Sequence, residues 1–317
     1  MTRQKFNKYV LISIISAVIA APSYMLIKII TDTQLDDVSF MALRYSLLII
    51  ACLPVVIGAW PKIRQNWKPI LLCNIFIAVS GWTHTPSISL STASYISVLH
   101  LFSPIVLVIV SAAIVKEKLN FRKIVGVAIA FIGAFVMFAL PVFLSNPFEF
   151  YPEATILSLT NSFAFAFAMI LWRKIKIAGV PMIAMMGSTY VLLAFSTSVV
   201  SMANNGILLP FNVIINQPVI LITIVYLAII VSLLSHMLNA NIYTKVDSSL
   251  VSATNYLSKI LGILLPVLIL RESLSIYMII GGLVALVGIV IINTKPRKQP
   301  IRRRPRKKRR AKIKSSA

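Results

Sequence analysis

A chain of 317 residues in which 58% of side chains are hydrophobic and only 12% charged, with a mean hydropathy of +0.90, is not a soluble domain, whose apolar share lies nearer about 45–50%. The formal net charge of +23 would suggest a nucleic-acid partner, but 13 of the 31 Lys and Arg residues follow Thr294, so most of the excess belongs to one tail. Cys52 and Cys73 fall inside apolar runs, where they read as packing residues and say nothing of redox compartment.

Met1 to Lys8 carries Arg3, Lys5 and Lys8, and the apolar run after it, Tyr9 to Ile30, is long enough at about 1.5 Å per residue to cross a hydrocarbon core of roughly 30 Å. It is too long for a cleaved signal peptide, and Pro22 follows its Ala20-Ala21 pair, so it reads as the first span. Further spans are predicted over Val38 to Ala59, Pro69 to Ser89, Ala93 to Val115, Lys123 to Leu140, Glu153 to Trp172, Met182 to Met202, Pro218 to Tyr243, Ser249 to Leu270 and Tyr277 to Asn293. The expected fold is therefore an all-α integral membrane protein with ten transmembrane helices.

The connecting loops alternate in charge. One set holds the N-terminal basic residues, then Lys62, Arg64 and Lys68, then Lys116, Lys118, Arg122 and Lys123, then Arg173, Lys174 and Lys176, then Lys245 and the tail; the other holds Asp32, Asp36, Asp37, Glu149 and Glu153, with Arg271 its one clear basic member. Basic residues in short loops mark the cytoplasmic side, so both termini are expected inside. The location expected is a bacterial inner (plasma) membrane.

The two halves repeat. Ser94, Ser97, Ser103, Ile105, Glu117, Leu119, Ile124, Gly126 and Gly133 meet Ser249, Ser252, Ser258, Ile260, Glu272, Leu274, Ile279, Gly281 and Gly288 at a constant offset of 155. Each copy is two apolar runs joined by a short charged hinge at Glu117 or Glu272, followed by two glycines seven apart that lie near one helix face and admit a close neighbour. Five spans per half is an odd number, so the second half enters the membrane inverted, the arrangement of many secondary transporters. The chain divides into a cytoplasmic N-terminus (1–8), a first five-helix repeat (9–140), an external linker (141–152), a second repeat (153–294) and a polybasic tail (295–317).

The residues that carry a family likeness are Ala42-Leu43-Arg44-Tyr45 in the second span, Ser91-Thr92-Ala93-Ser94 and Pro104 with Glu117-Lys118-Leu119, and Ser248-Ser249-Leu250-Val251-Ser252 with Glu272-Ser273-Leu274. In these the chain resembles the drug/metabolite transporter superfamily, of the type with two EamA domains, over roughly residues 9 to 293. The resemblance implies ten helices and the movement of small metabolites such as amino acids, nucleotide-derived compounds or drugs. One departure stands out: Pro104 keeps a proline that the family often has, whereas its counterpart in the ninth span is Lys259, with a proline only at Pro266.

A Lys at the centre of a membrane helix costs about 2.5–3.5 kcal/mol on insertion scales, and Lys259 lies ten residues beyond Ser249. It either meets a substrate carboxylate or phosphate, or exchanges a proton, or is neutralised by helix-end carbonyls as a structural group. The offset also pairs His84 with Asn239 and His100 with Asn255, so each half presents polar side chains at the same two depths, where a cavity between halves tolerates them. His236 and Asn239 share one helix face with Tyr243. Any one of these histidines equally suits an ordinary interhelical hydrogen bond. Arg44 either snorkels to the interface or serves the site, where the resemblance raises its standing. Trp82, Tyr95, Tyr190, Tyr256 and Trp172 are aromatics available for stacking, Trp172 also suiting an interfacial belt. The candidate substrate-binding set is Lys259, His100, Asn255, His84, Asn239, Arg44 and Tyr256; Glu117 and Glu272 are read as hinge residues, and Gly126, Gly133, Gly281 and Gly288 as helix-packing residues.

No carboxylate falls inside an apolar run, and no Gly-rich phosphate loop, metal-ligand cluster or nucleophile elbow occurs, so neither an enzyme, a cofactor nor a metal is expected. The tail, with Pro296, Pro300 and Pro305 and no acid, cannot bury a core and is expected to lie on anionic lipid rather than nucleic acid. The function expected is a secondary, alternating-access carrier of a small organic solute, amino-acid-like or otherwise anionic or zwitterionic, with a homodimer left open. The alternative is a non-transporting membrane-interaction or lipid-handling protein that keeps the fold; it gives no reason for polar groups at the midplane.

Overall fold

A computed structural model describes residues 3–115, 121–140, 144, 150–206, 208–235, 237–238 and 248–293, and among these every regular element is helical. The tail, the Glu117 hinge, His236 and Asn239 lie outside the described residues, as do the side chains of Asn255 and Tyr256. Helices long and apolar enough to cross a membrane run over Tyr9–Thr31, Asp37–Gly58, Ala93–Ile114, Pro152–Trp172 and Met182–Asn205, and shorter apolar helices over Pro218–Leu234, Leu257–Ile269 and Ile276–Ile291. Large apolar side chains such as Ile50, Phe195 and Leu268 are about 70% exposed. That outward apolar face suits lipid and would be a liability in water.

In chain order the helices are α1 (Arg3–Ala20), α2 (Ser23–Thr31), α3 (Asp37–Gly58), α4 (Trp60–Gln65), α5 (Trp67–Ser89), α6 (Ala93–Leu99) and α7 (Ser103–Val115). They continue with α8 (Phe121–Ala134), α9 (Pro152–Ile177), α10 (Met182–Asn205), α11 (Leu208–Asn216), α12 (Pro218–Val225), α13 (Ser248–Ile269) and α14 (Ile276–Asn293). The first predicted span is not one helix: it breaks at Ala21-Pro22, because a proline ring in a helix interior collides with the carbonyl four residues back and gives no N–H. The fourth is also interrupted. Pro104 has no N–H for the His100 carbonyl, the Ser103 N–H bonds to it instead, and His100–Phe102 tightens into a 3-10 turn between α6 and α7. Two stretches widen to π geometry, Phe135–Ala139 after α8 and Tyr226–Leu234 after α12. In the second, the Ser232 hydroxyl bonds the carbonyl of Leu227, five residues back, at 2.8 Å.

Three helix pairs frame the interior. On α3 and α10, Gly187 admits Cys52 and Val56, and Ser39 meets Ser201 at 2.7 Å. On α5 and α9, Asn161 donates to the Ser80 carbonyl at 2.7 Å and Phe76 stacks on Phe167 at 5.1 Å. The third pair, α8 and α14, is a glycine seam. A Cβ on Gly133 would stand 2.6 Å from the Gly281 carbonyl oxygen, and one on Gly288 would stand 2.5 Å from that of Gly126. Shifting each number by 155 turns the first contact into the second, so the seam is made of two equivalent contacts with the partners exchanged.

Because backbone lines both sides of that seam, neither helix can yield to a side chain. Gly133→Leu or Gly288→Leu is expected to separate α8 from α14 and destabilise the protein by about 1–3 kcal/mol or more. Thermal unfolding in detergent measures this, and Gly58→Leu, where a Cβ meets nothing within 4 Å, serves as the tolerant control.

Candidate functional site

The two helix breaks bring the candidate site together. Tyr24 stands in the first turn of α2, just past Pro22, and His100 opens the 3-10 turn that Pro104 imposes. Lys259 lies in the middle of α13 and reaches between them. Its ammonium donates to the Tyr24 hydroxyl at 2.5 Å and sits 4.9 Å from the centre of the Tyr24 ring. The Tyr24 hydroxyl is also hydrogen-bonded to His100 Nδ1 at 2.6 Å. An ammonium has no acceptor, so Tyr24 accepts from Lys259, while the direction of its bond to His100 Nδ1 follows the imidazole tautomer, since a hydroxyl that accepts one hydrogen can still donate or accept another.

His84, near the end of α5, stacks on His100 at 5.3 Å with its ring edge toward Tyr24 at 5.7 Å. Arg44 on α3 turns inward: a guanidinium nitrogen donates to the Ser232 hydroxyl at 2.7 Å, and the group lies 5.8 Å from the Phe40 ring. The π stretch after α12 is what presents Ser232, so Arg44 is held by a hydroxyl inside the protein and does not snorkel. Arg44 and Lys259 both lie within electrostatic reach of His84. Among the described residues no carboxylate reaches either cation, and His84 Nδ1, His100 Nε2 and Arg44 Nε are buried with no hydrogen-bond partner. Buried polar atoms are otherwise almost always bonded. The cluster is therefore a positively charged set with three vacant hydrogen-bonding atoms, suited to an anionic or polar guest.

The remaining sequence candidates fall elsewhere or inside the packing. Trp82 donates to Ser196 at 3.1 Å, Tyr95 is buried against Thr155 at 2.6 Å, and Tyr190 stacks on Tyr45 at 6.1 Å. Trp172 sits five residues before the end of α9, half-buried against the core. Glu272 does more than form a hinge: its carboxylate accepts from the backbone N–H groups of Ala93 and Ser94 at 3.0 and 2.8 Å and from the Ser94 hydroxyl at 2.6 Å. Tyr24 and Ser232 were absent from the sequence candidates. Tyr24 had one available signal, its place beside the proline that breaks the first span.

A groove of about 440 Å³ between α5 and α9, lined by Ile75, Phe76, Val79, Leu159 and Phe163, lies apart from this cluster on the open apolar face. Its lining is apolar save for Thr160, which suits it to lipid rather than to a polar solute. Among the described residues no group of three or more His, Cys, Asp or Glu is placed to hold a metal ion.

A membrane-embedded, all-helical chain that gathers unpaired cations and histidines between broken helices has the construction of a membrane transporter. The EamA-like transporter family model matches residues 7–139 and 153–294, and the chain belongs to that family. Its members are drug/metabolite-type transporters, not enzymes, and the protein is an integral membrane protein. No curated protein matches the chain. A solved structure described as "Crystal structure of protein" is similar in fold, with a TM-score of 0.60 and 14% identity over 90% of this chain and 96% of that one.

The Tyr24 hydroxyl holds a buried histidine and a half-buried lysine, so Tyr24→Phe is expected to destabilise the protein by about 1–3 kcal/mol. Lys259→Met on the Tyr24→Phe background is expected to recover a good part of that loss, since it removes the stranded ammonium. A double-mutant cycle of unfolding free energies in detergent checks this; additive effects would show that the two side chains do not interact.

Proposed function

We propose that the protein is a secondary carrier for a small organic solute bearing a carboxylate or phosphate, amino-acid-like or otherwise anionic or zwitterionic. The observation that carries this reading is the Lys259–Tyr24–His100 chain with Arg44 nearby and no carboxylate to neutralise either cation among the described residues. An unpaired charge within a membrane is costly to insert and marks a functional site by default. A guest anion supplies the missing countercharge, and His84 Nδ1, His100 Nε2 and Arg44 Nε are free to orient it.

Alternating access by two oppositely inserted five-helix halves is the movement that suits such a site. The 155-residue offset in the sequence and the exchange of partners along the glycine seam favour ten spans related by a pseudo-twofold axis. The basic loops favour both termini in the cytoplasm. On this reading the tail lies against anionic lipid, where each basic residue near the surface contributes about 1 kcal/mol.

Proteoliposomes loaded or bathed with labelled amino acids, nucleotide derivatives, dicarboxylates and cationic drugs test the reading. Accumulation of anionic or zwitterionic members, lost at least tenfold in a normally inserted Lys259→Ala variant, is expected. Transport confined to cationic drugs, or unchanged by Lys259→Ala, would overturn it, and no transport of any member would favour a non-transporting membrane protein.

The tail makes a separate expectation. Removing residues 296–317 should leave that transport intact, while the same segment as a peptide binds vesicles containing phosphatidylserine and releases as salt rises.

A further inference from the structure

We propose that the line of contact between α6 and α13 is a gate over the site, latched by the Glu272 carboxylate. It rests on the carrier reading for what it controls, although its geometry does not. Three contacts at successive turns of α6 close this line. At the top, Ser94 and the N–H groups of Ala93 and Ser94 hold Glu272. One turn down, the Ser97 hydroxyl donates to the Gly262 carbonyl at 2.9 Å. Another turn down, His100 meets Lys259 through Tyr24. Residues 94, 97 and 100 share one face of the α6 segment because they are three apart.

The line has the chemistry of something that opens. Its upper rungs are hydrogen bonds to a carboxylate and a carbonyl, groups that water can satisfy as well as protein can once the helices part. The α8–α14 seam is the opposite case, with carbonyl and amide backbone of one helix pressed directly on the glycines of the other. Gly262 leaves room for the close fit, since a Cβ there would stand 3.3 Å from Tyr24 and 3.5 Å from the Ser97 hydroxyl. The turn that delivers Glu272 is itself unusual: Arg271 holds a left-handed backbone with φ 56°, a conformation that side chains other than Gly, Asn and Asp seldom take. It lets the chain reverse directly after α13 and return the carboxylate to the start of α6. The contact also joins residues 178 and 179 apart in sequence, one from each matched family segment, so it ties the two halves together on the face that carries the loop between α13 and α14.

With the latch engaged, Ser97 is fully buried, and access to Lys259 from the Glu272 face is shut. Releasing the latch lets α6 and α13 separate and exposes Ser97 first, then Tyr24 and Lys259.

Ser97→Cys in a Cys52→Ala, Cys73→Ala background reports the opening in reconstituted full-length protein. A membrane-impermeant maleimide is applied to each face in turn, with no substrate present. The thiol is expected to label slowly from the Glu272 face, and about tenfold or more faster when Glu272→Ala is added. Ser94→Ala gives a smaller increase and serves if Glu272→Ala fails to insert. A Ser94→Cys, Glu272→Cys pair is expected to form a disulfide that abolishes transport reversibly. Fast labelling with Glu272 intact, or labelling unchanged by both substitutions in normally inserted protein, would overturn the gate. Because labelling needs no substrate, a failure of the transport panel leaves this result standing.

Discussion

The hydroxyl of Tyr24 is the constraint around which the interior is arranged. It is the hydrogen-bond partner seen for the Lys259 ammonium, and it also bonds to His100 Nδ1. An ionised group within a bilayer is costly without a hydrogen-bond partner, and a neutral hydroxyl supplies one without adding a countercharge. A carboxylate in the same place would have made a closed ion pair with nothing left for a guest.

Bringing that oxygen into place requires departures from regular helix. Pro22 ends α1 and starts α2 at the depth where Tyr24 must turn inward. Pro104, by denying the His100 carbonyl its usual donor, tightens the fourth span just where His100 faces Tyr24. The widened turn at Ser232 does the same for Arg44. Each departure frees or redirects backbone groups, which is tolerable at membrane depth only inside the protein, where other polar groups can meet them.

The rest of the architecture divides into contacts that hold and contacts that can change. The glycine seam between α8 and α14 allows one separation only, since any added atom collides with a main chain. The line between α6 and α13 consists of hydroxyls, a carboxylate, a carbonyl and an imidazole. These can exchange partners with water or with a solute at little cost. The two lines of contact thus differ in kind, one fixed by main chain and the other made of side-chain hydrogen bonds beside the half-buried cations.

Much of this was legible in the residues alone. Long apolar runs locate helices because a lipid-facing backbone must satisfy itself, so every predicted span described here falls on helix. The spacing of Gly126, Gly133, Gly281 and Gly288 marked the packing faces, since small residues at helical intervals have one main use in a membrane. Lys259 stood out as a candidate by its cost at that depth. What the residues could not reveal was pairing: Tyr24, His84, His100 and Lys259 come from four separate stretches, and the one local mark on Tyr24, its place beside Pro22, does not say what it meets. Nor does sequence say that Glu272 reaches α6, because that contact depends on a left-handed turn at Arg271. Hydrophobic pattern and spacing are properties of one segment and its own backbone, whereas a site among unpaired charges exists only once packing has decided which segments meet.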